Sequence, residues 1–394
     1  MATVQKPDYA GRRTGFIFND EHDALRDSMT AWVIKELAPH AEEWEETRFP
    51  DWVFRRAGEL GFLGLCLPEE YGGQGGDYYY SLVRAEALTH AGSGGLSLGV
   101  SVHTDMVMPP LHEFGTEDQR QRYLVPSIAG ELISCLGISE PGAGSDVAAI
   151  RTRAVRSGGD WVINGSKMFI TNGARADYIL LVVKTRPDER HKGMSLFLVD
   201  MKSPGVSVSR TLKKMGMHAS DTAEITFEDV RVPDENLLGE EGRGFYHISW
   251  ELQGERLVGA VMAVAGAERV LEKTIEYAYG RHAFGRPVAE FQSIRHKLAQ
   301  MATQIEAAKQ LTYATAWRFQ NGEYAVREAT MAKLFATQAA CEIADQCIQI
   351  HGGYGYMQEY GIERAYRDMR LYRIGGGTDE IMLDVIGRSM APRR

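Results

Sequence analysis

Two stretches of the chain combine glycine, small hydroxyls and an aromatic ring in a pattern that suits a flat, hydrogen-bonding ligand. Leu136-Gly-Ile-Ser-Glu-Pro-Gly-Ala-Gly-Ser-Asp146 is a glycine-rich turn with hydroxyls at Ser139 and Ser145. Such a turn lets backbone amides come close to a bulky anionic or heteroaromatic group. Downstream, Lys167-Met-Phe-Ile-Thr-Asn-Gly173 sets the ring of Phe169 two residues from the hydroxyl of Thr171, so both face one side of an extended segment. A ring to stack on and a hydroxyl to hydrogen-bond fit a heterocycle such as a flavin. The glycines alone would mark only a turn between strands. A third chemical group is Arg281, a fixed cationic fork suited to a diphosphate, although in isolation it reads as a surface cation after a long helix.

The glycine run is not a dinucleotide-binding fingerprint, which needs a strand before it and a helix opening at its third glycine. The run leads instead into Thr152–Arg156, then Ser157-Gly-Gly-Asp160, then Trp161–Asn164. That pattern predicts strand, turn and strand, so a flavin here would sit against antiparallel β structure.

A chain of 394 residues is too long for one ordinary core, and two or three domains are expected. The composition is that of a globular protein, and the net charge of −9 without a basic cluster disfavours nucleic acid. No apolar run reaches the roughly 18 residues of a membrane-spanning helix. Met1-Ala-Thr-Val-Gln-Lys-Pro7 has no apolar signal-peptide core and none follows Arg12-Arg13, so a cytoplasmic location is expected. Cys66, Cys135, Cys341 and Cys347 lack metal-type spacing, so they read as free thiols and no metal is predicted.

Residues from about 20 to 130 carry apolar positions at helical spacing, as at Leu25, Met29, Trp32, Val33 and Leu37, with a loop at Pro68–Gly76 and another helix from Tyr78 to Ala91. From 131 to 240 short apolar runs such as Tyr178–Val183 and Met194–Val199 alternate with turn signals, the mark of a small β-barrel or sandwich. Beyond Gly242 the helical period returns. Three domains are therefore expected: 1–130 helical, 131–240 an antiparallel β-barrel, and 241–394 a four-helix-bundle-like unit, an α+β multidomain architecture.

With this order, the chain resembles the acyl-CoA dehydrogenase family from about residue 15 onward. The resemblance rests on the two glycine and aromatic motifs, Arg281-His-Ala-Phe-Gly285, Phe291-Gln292, Gln349-Ile-His-Gly-Gly353 and Tyr372-Arg-Ile-Gly-Gly-Gly-Thr-Asp-Glu-Ile381. It implies FAD as cofactor, contacted by Leu136, Ile138, Ser139, Gly144, Ser145, Phe169, Ile170 and Thr171, and by Thr378 and Glu380 in the closing motif. It further implies that Arg281, Phe284, Gln292, Gln349, Gly352 and Gly353 reach the FAD of a neighbouring subunit, so a homo-oligomer, usually a tetramer, is expected. On its own the Gly352-Gly353 pair reads more simply as a helix stop.

The family's reaction removes two hydrogens from an acyl-CoA thioester: a carboxylate takes the α-proton and the β-hydrogen leaves as hydride to flavin N5. The thioester oxygen needs hydrogen bonds that stabilise a developing enolate, and desolvation should raise the pKa of the base. Most members carry the base as a glutamate just before Gly-Thr in the closing motif, but here that position is Gly376. Gly376 cannot accept a proton, yet it keeps the N–H that, by resemblance, bonds the thioester oxygen. Branches similar to isovaleryl-CoA and long-chain acyl-CoA dehydrogenases hold the glutamate on a C-terminal-domain helix, directly before an arginine. Gln253-Gly-Glu-Arg-Leu-Val258 puts Glu255 and Arg256 in that register. Resemblance therefore assigns Glu255 as base, with Ser145, Tyr246, Gln253, Arg256 and Gly377 toward the substrate.

The vacancy at Gly376 favours a long or branched acyl group, and glutaryl-CoA decarboxylation is disfavoured because the closing-motif glutamate is missing. Electron transfer flavoprotein is the acceptor the resemblance implies. Alternatives are a flavin-dependent monooxygenase on the same fold and a non-catalytic acyl-CoA-binding member. His103 is a tempting second base that reads better as a structural histidine.

Overall fold

The computed structural model describes residues 17–391, and the reading of the first residues as lacking a signal-peptide core lies outside them. The first helix, α1 (Asp20–Trp32), begins under an Asn19 cap whose side chain accepts from the Glu21 and His22 amides. Asp20, Glu21 and Asp23 then fill the first turn, where acidic groups oppose the helix dipole. The cap is thus one residue earlier than the acidic run suggests. Helices α2 (Tyr78–Leu88) and α3 (Gly94–Ser101) complete the part of this helical region that matters for the site. After Ser101 the helix loosens into a π-helical segment, Val102–Val107.

The middle region is a sheet of β1 (Ser134–Gly137), β2 (Arg153–Ser157), β3 (Asp160–Thr171), β4 (Tyr178–Lys184), β5 (Met194–Asp200), β6 (Val206–Thr211), β7 (Thr222–Pro233) and β8 (Leu237–Leu238). The strands lie in the order β6-β7-β3-β2-β4-β5-β8, with β1 beside β4. The strand–turn–strand reading is met by the β2–β3 hairpin, Arg153↔Asn164 through Ser157↔Asp160. The purely antiparallel expectation is corrected: β1 runs parallel to β4, from Ser134↔Tyr178 to Gly137↔Leu181, and β2 meets β4 in parallel at Arg153↔Lys184. The hairpin inserted between β1 and β4 makes the chain cross over and return in the same direction.

Strand β4, Tyr-Ile-Leu-Leu-Val-Val-Lys, is buried along its whole length, as strands covered on both faces are. Tyr178, Leu180 and Val182 join the core of the N-terminal helices, while Ile179, Leu181 and Val183 join the core inside the sheet region. The sheet is thereby fixed to the helical layer, and the loops at its rim are held in place.

The C-terminal region holds three long helices, α4 (Gly244–Gly280), α5 (Gln292–Gln320) and α6 (Val326–His351), followed by α7 (Ile362–Tyr372) and α8 (Asp379–Ser389). Small residues such as Ala263, Ala267, Ala336 and Ala340 let α4 and α6 approach closely around one apolar core. Helix α4 also packs on α2, so its N-terminal half faces the first helical region. No helix among the described residues is long and apolar enough to cross a membrane.

Candidate active site

The two glycine and aromatic motifs form one structure. Met168 N–H donates to the Ser139 carbonyl at 2.9 Å, and Lys167 Nζ donates to the Ile138 carbonyl at 3.0 Å and to Glu140 Oε1 at 2.8 Å. Glu140 also accepts the Arg151 and Thr152 amides. Burial works against the Glu140 carboxylate, but Lys167 and these donors outweigh it and hold its pKa down. Burial pushes Lys167 down to about 8 against the pull of Glu140. This buried pair is the frame of the glycine turn.

A bulge between Lys167 and Ile170 breaks the β3 register. Phe169 sits there at φ 65°, with its ring 68 % exposed, while Ile170 turns into the core and Thr171 is half-buried. The segment is therefore not extended at Phe169, and the ring stands clear of the core there. A left-handed phenylalanine costs roughly 1–2 kcal/mol, and its ring, mostly exposed, gains little burial in return. Gly144 and Ser145 are exposed, Leu136, Ile138 and Ser139 are half-buried, and a Cβ at Gly144 would meet nothing within 4 Å. Space, an unshielded ring and unobstructed backbone fit a flavin.

Arg281 lies at the end of α4, its guanidinium 5.6 Å from the ring centre of Tyr354. With Gly352 and Gly353 it lines a cavity of about 480 Å³. Phe284 projects from the tip of the His282–Pro287 hairpin, 95 % exposed. Gln292 and Gln349 are exposed as well. Among the described residues no hydrogen bond links this group to the β-sheet motifs, so the two groups are separate surfaces of the chain. Thr378 caps α8, its hydroxyl accepting from the Ile381 amide, and Glu380 is exposed in the first turn.

Glu255 stands on α4 directly opposite the closing loop. A Cβ built on Gly376 would lie 3.2 Å from Glu255 Oε1. The carboxylate thus occupies the space that a side chain at position 376 would enter. Among the described residues it makes no hydrogen bond or ion pair, and it is only half-buried by accessible surface. Desolvation raises its pKa, opposed by the charges of Arg256 and Lys333. Gly376 is at φ 65°, with its carbonyl accepting from Arg256 Nε at 3.4 Å. Lys333 Nζ donates to the Gly377 carbonyl at 2.5 Å. Both carbonyls are drawn toward α4 and α6, and the Gly376 N–H has no partner among the described residues.

Several expected substrate residues sit differently. Arg256 is 9 % exposed and donates to the Gly376 carbonyl and to the Thr330 hydroxyl, tying the closing loop to α4 and α6. Gln253 is buried, with its amide bonded back to the Trp250 carbonyl. Tyr246 is 39 % exposed with Arg243 over its ring. His103 is a structural histidine, bonded to Ser134 Oγ and the Ser127 carbonyl and pushed by burial down to about 4.

Sequence reasoning missed Glu251, one turn before Glu255 on the same helix. It is 2 % exposed, and neither carboxylate oxygen has a hydrogen-bond partner among the described residues. Desolvation first, then the Glu255 charge, raises its pKa well above the carboxylate range. Its one-turn spacing from Glu255 was the available signal. Lys333 and the Tyr78 hydroxyl, which reaches the Gly254 carbonyl at 3.4 Å, were also missed; no motif marks them.

Family models for the acyl-CoA dehydrogenase N-terminal, middle and C-terminal domains match residues 19–131, 135–230 and 242–391. The mouse mitochondrial long-chain specific acyl-CoA dehydrogenase is 41 % identical over 95 % of this chain and 87 % of its own length. The potato mitochondrial isovaleryl-CoA dehydrogenase is 37 % identical over 98 % and 94 %. A crystal structure of an acyl-CoA dehydrogenase from Geobacillus kaustophilus superposes with TM-score 0.94 at 41 % identity, over 96 % of this chain and all of that one. The chain belongs to the acyl-CoA dehydrogenase family, whose members are FAD oxidoreductases acting on acyl-CoA.

Proposed function

We propose that the protein dehydrogenates a long-chain or branched acyl-CoA to the trans-2-enoyl-CoA, with Glu255 taking the α-proton. The observation that carries this reading is the 3.2 Å approach of Glu255 Oε1 to the vacant side-chain position of Gly376. FAD, when bound, supplies the acceptor for the β-hydride. The turn around Ser139 and Ser145, with Phe169 and Thr171, would hold its ring system. Arg281 and the Gly352-Gly353 bend would hold the diphosphate end of a partner subunit's cofactor.

The chain's own part is to bind, orient and move one proton. The Gly376 N–H, which has no partner among the described residues, is free to donate to the thioester oxygen and stabilise the developing enolate. Glu255 holds no partner that would compete for the α-proton, and its raised pKa makes it a better acceptor. The neighbouring Glu251 is protonated in the resting site, because its burial, with the Glu255 charge one turn away, makes its ionisation costly. Glu255 fills the space that a side chain at 376 would enter, so the base comes to the reacting carbons from α4 and not from the closing loop. Electron transfer flavoprotein as acceptor and a tetrameric assembly complete the proposal.

Anaerobic titration of the holoenzyme with a panel of acyl-CoAs tests it. Bleaching of the flavin by long or branched esters in wild type, lost by about 10² to 10⁴ in rate in Glu255→Gln, is the expected result. Bleaching of Glu255→Gln at the wild-type rate would place the base elsewhere. Binding without bleaching would favour a non-catalytic acyl-CoA-binding protein, and rapid reaction of reduced flavin with oxygen would favour a monooxygenase.

A further inference from the structure

A small chamber of about 80 Å³ lies between the start of α3, the middle of α4 and α7. Its α4 wall is Met262, Gly266, Arg269 and Lys273. At about 100° per residue, these positions return to within roughly 40° of the direction in which Glu255 points. The chamber therefore continues the catalytic face of the helix. Gly259 shares that face, and a Cβ there would meet nothing within 4 Å; at Gly266 it would meet only the Met369 methyl, at 3.0 Å. Neither glycine puts a side chain on that face; Met262, 2 % exposed, and the Met369 methyl fill it in the resting structure, and Met262, unbranched and adaptable, is the side chain a bound chain would displace.

The far end of this face is not apolar. Ser97, 1 % exposed, lines the chamber with its hydroxyl unpartnered. Arg269 pairs through Nη1 with Glu272 at 2.8 Å, but its Nη2 is buried with no partner. Lys273 stands at the open rim, held below the ordinary lysine range by desolvation and then by the Arg364 and Arg269 charges. Asp368 also lines the chamber, with its two oxygens occupied by the Gly94 and Met217 amides. An acyl chain ending in a methyl would leave Ser97 Oγ and Arg269 Nη2 unsatisfied, a cost of about 1–3 kcal/mol for each.

We propose that this chamber is the distal end of the acyl site and receives a carboxylate at the ω end of a long acyl chain, bound by Arg269 and Ser97 with Lys273 at the rim. The proposal rests on the reading of Glu255 as base, which fixes where the chain begins. At about 1.5 Å of rise per residue, Arg269 stands roughly 21 Å along α4 from Glu255, a span covered by an extended chain of about 16 carbons. The substrate class is then a long-chain α,ω-dicarboxylic acid esterified to CoA at one end.

The test compares hexadecanedioyl-CoA with hexadecanoyl-CoA on the wild-type holoenzyme by flavin reduction and steady-state turnover. Wild type should show the higher kcat/KM for the dicarboxylic ester, through KM, because the contact is remote from the reacting carbons and uniform along the reaction. Arg269→Met should lower the ratio of the two kcat/KM values by roughly ten- to a hundredfold, with Arg269→Lys recovering part of it. Ser97→Ala, which removes one hydroxyl from the same wall, should lower the ratio in the same direction. Preference of wild type for hexadecanoyl-CoA, or a ratio unmoved in Ser97→Ala and the Arg269 variants, would overturn the chamber assignment and leave the dehydrogenase reading intact. Failure of both esters to bleach the flavin would refute the long-chain reading, and the chamber with it.

Discussion

Exchanging the two residues that face each other across the site, Glu255→Gly with Gly376→Glu, asks whether the carboxylate or its location matters. Glu255→Gly alone removes the proton acceptor and should slow flavin reduction by about 10² to 10⁴. In the wild type, a Cβ at 376 would stand 3.2 Å from Glu255 Oε1 and 3.9 Å from its Cγ; trimming Glu255 removes both contacts, so the new side chain has room. Its backbone remains at φ 65°, which costs any L-residue roughly 1–2 kcal/mol, and a glycine inside α4 costs about 1 kcal/mol more. Those terms burden the fold in the resting enzyme and the transition state alike. The exchange should therefore lose about 2–3 kcal/mol of stability, yet regain at least about tenfold in reduction rate over Glu255→Gly. Its preference should move toward unbranched chains, because the carboxylate then reaches the reacting carbons from the closing loop. Gly376→Glu alone should fare worse than the exchange, since it keeps the contact and pairs two carboxylates. Anaerobic stopped-flow reduction by straight and branched acyl-CoAs, alongside thermal melting, reads all of this. An exchanged enzyme that holds FAD and acyl-CoA but reduces no faster than Glu255→Gly would refute the reasoning.

Three further perturbations separate the remaining roles. Because Glu255 must be ionised and its pKa is raised, flavin reduction should fall as pH drops through a value above the ordinary carboxylate range. Glu251→Gln should keep that acid limb while removing the alkaline decline that ionisation of Glu251 would cause; a pH profile identical to wild type would show that Glu251 is silent. Phe169→Gly should leave the apoprotein as stable or about 1 kcal/mol more stable, by relieving the left-handed phenylalanine, while FAD retention falls; full flavin retention on gel filtration would remove the ring from the flavin site. Arg281→Ala should lose both FAD and oligomer, and a native oligomer with full flavin in that variant would disprove its inter-subunit role.

The legible and illegible parts of this chain divide by physical cause. The helical and sheet regions follow from apolar period, and the hairpin from Ser157-Gly-Gly-Asp160 between two alternating runs, because short-range chemistry decides them. The parallel pairing of β1 with β4 does not, since register between strands separated by a hairpin is set by which cores the two faces of β4 must fill. At the site, Glu255 and Gly376 are more than a hundred residues apart, and only the resemblance joined them; the 3.2 Å approach supplies the geometric reason. Arg256 shows the converse. Its charge and its place beside the base suggest a ligand contact, but in the fold its Nε donates to the Gly376 carbonyl and ties the closing loop to α4. Glu251 stayed hidden because a glutamate on a long helix ordinarily faces water, and only the packing of α4 on α2 takes it out of water without giving it a partner. The chemistry of this enzyme thus rests as much on where carbonyls and carboxylates are denied partners as on the motifs that mark its cofactor.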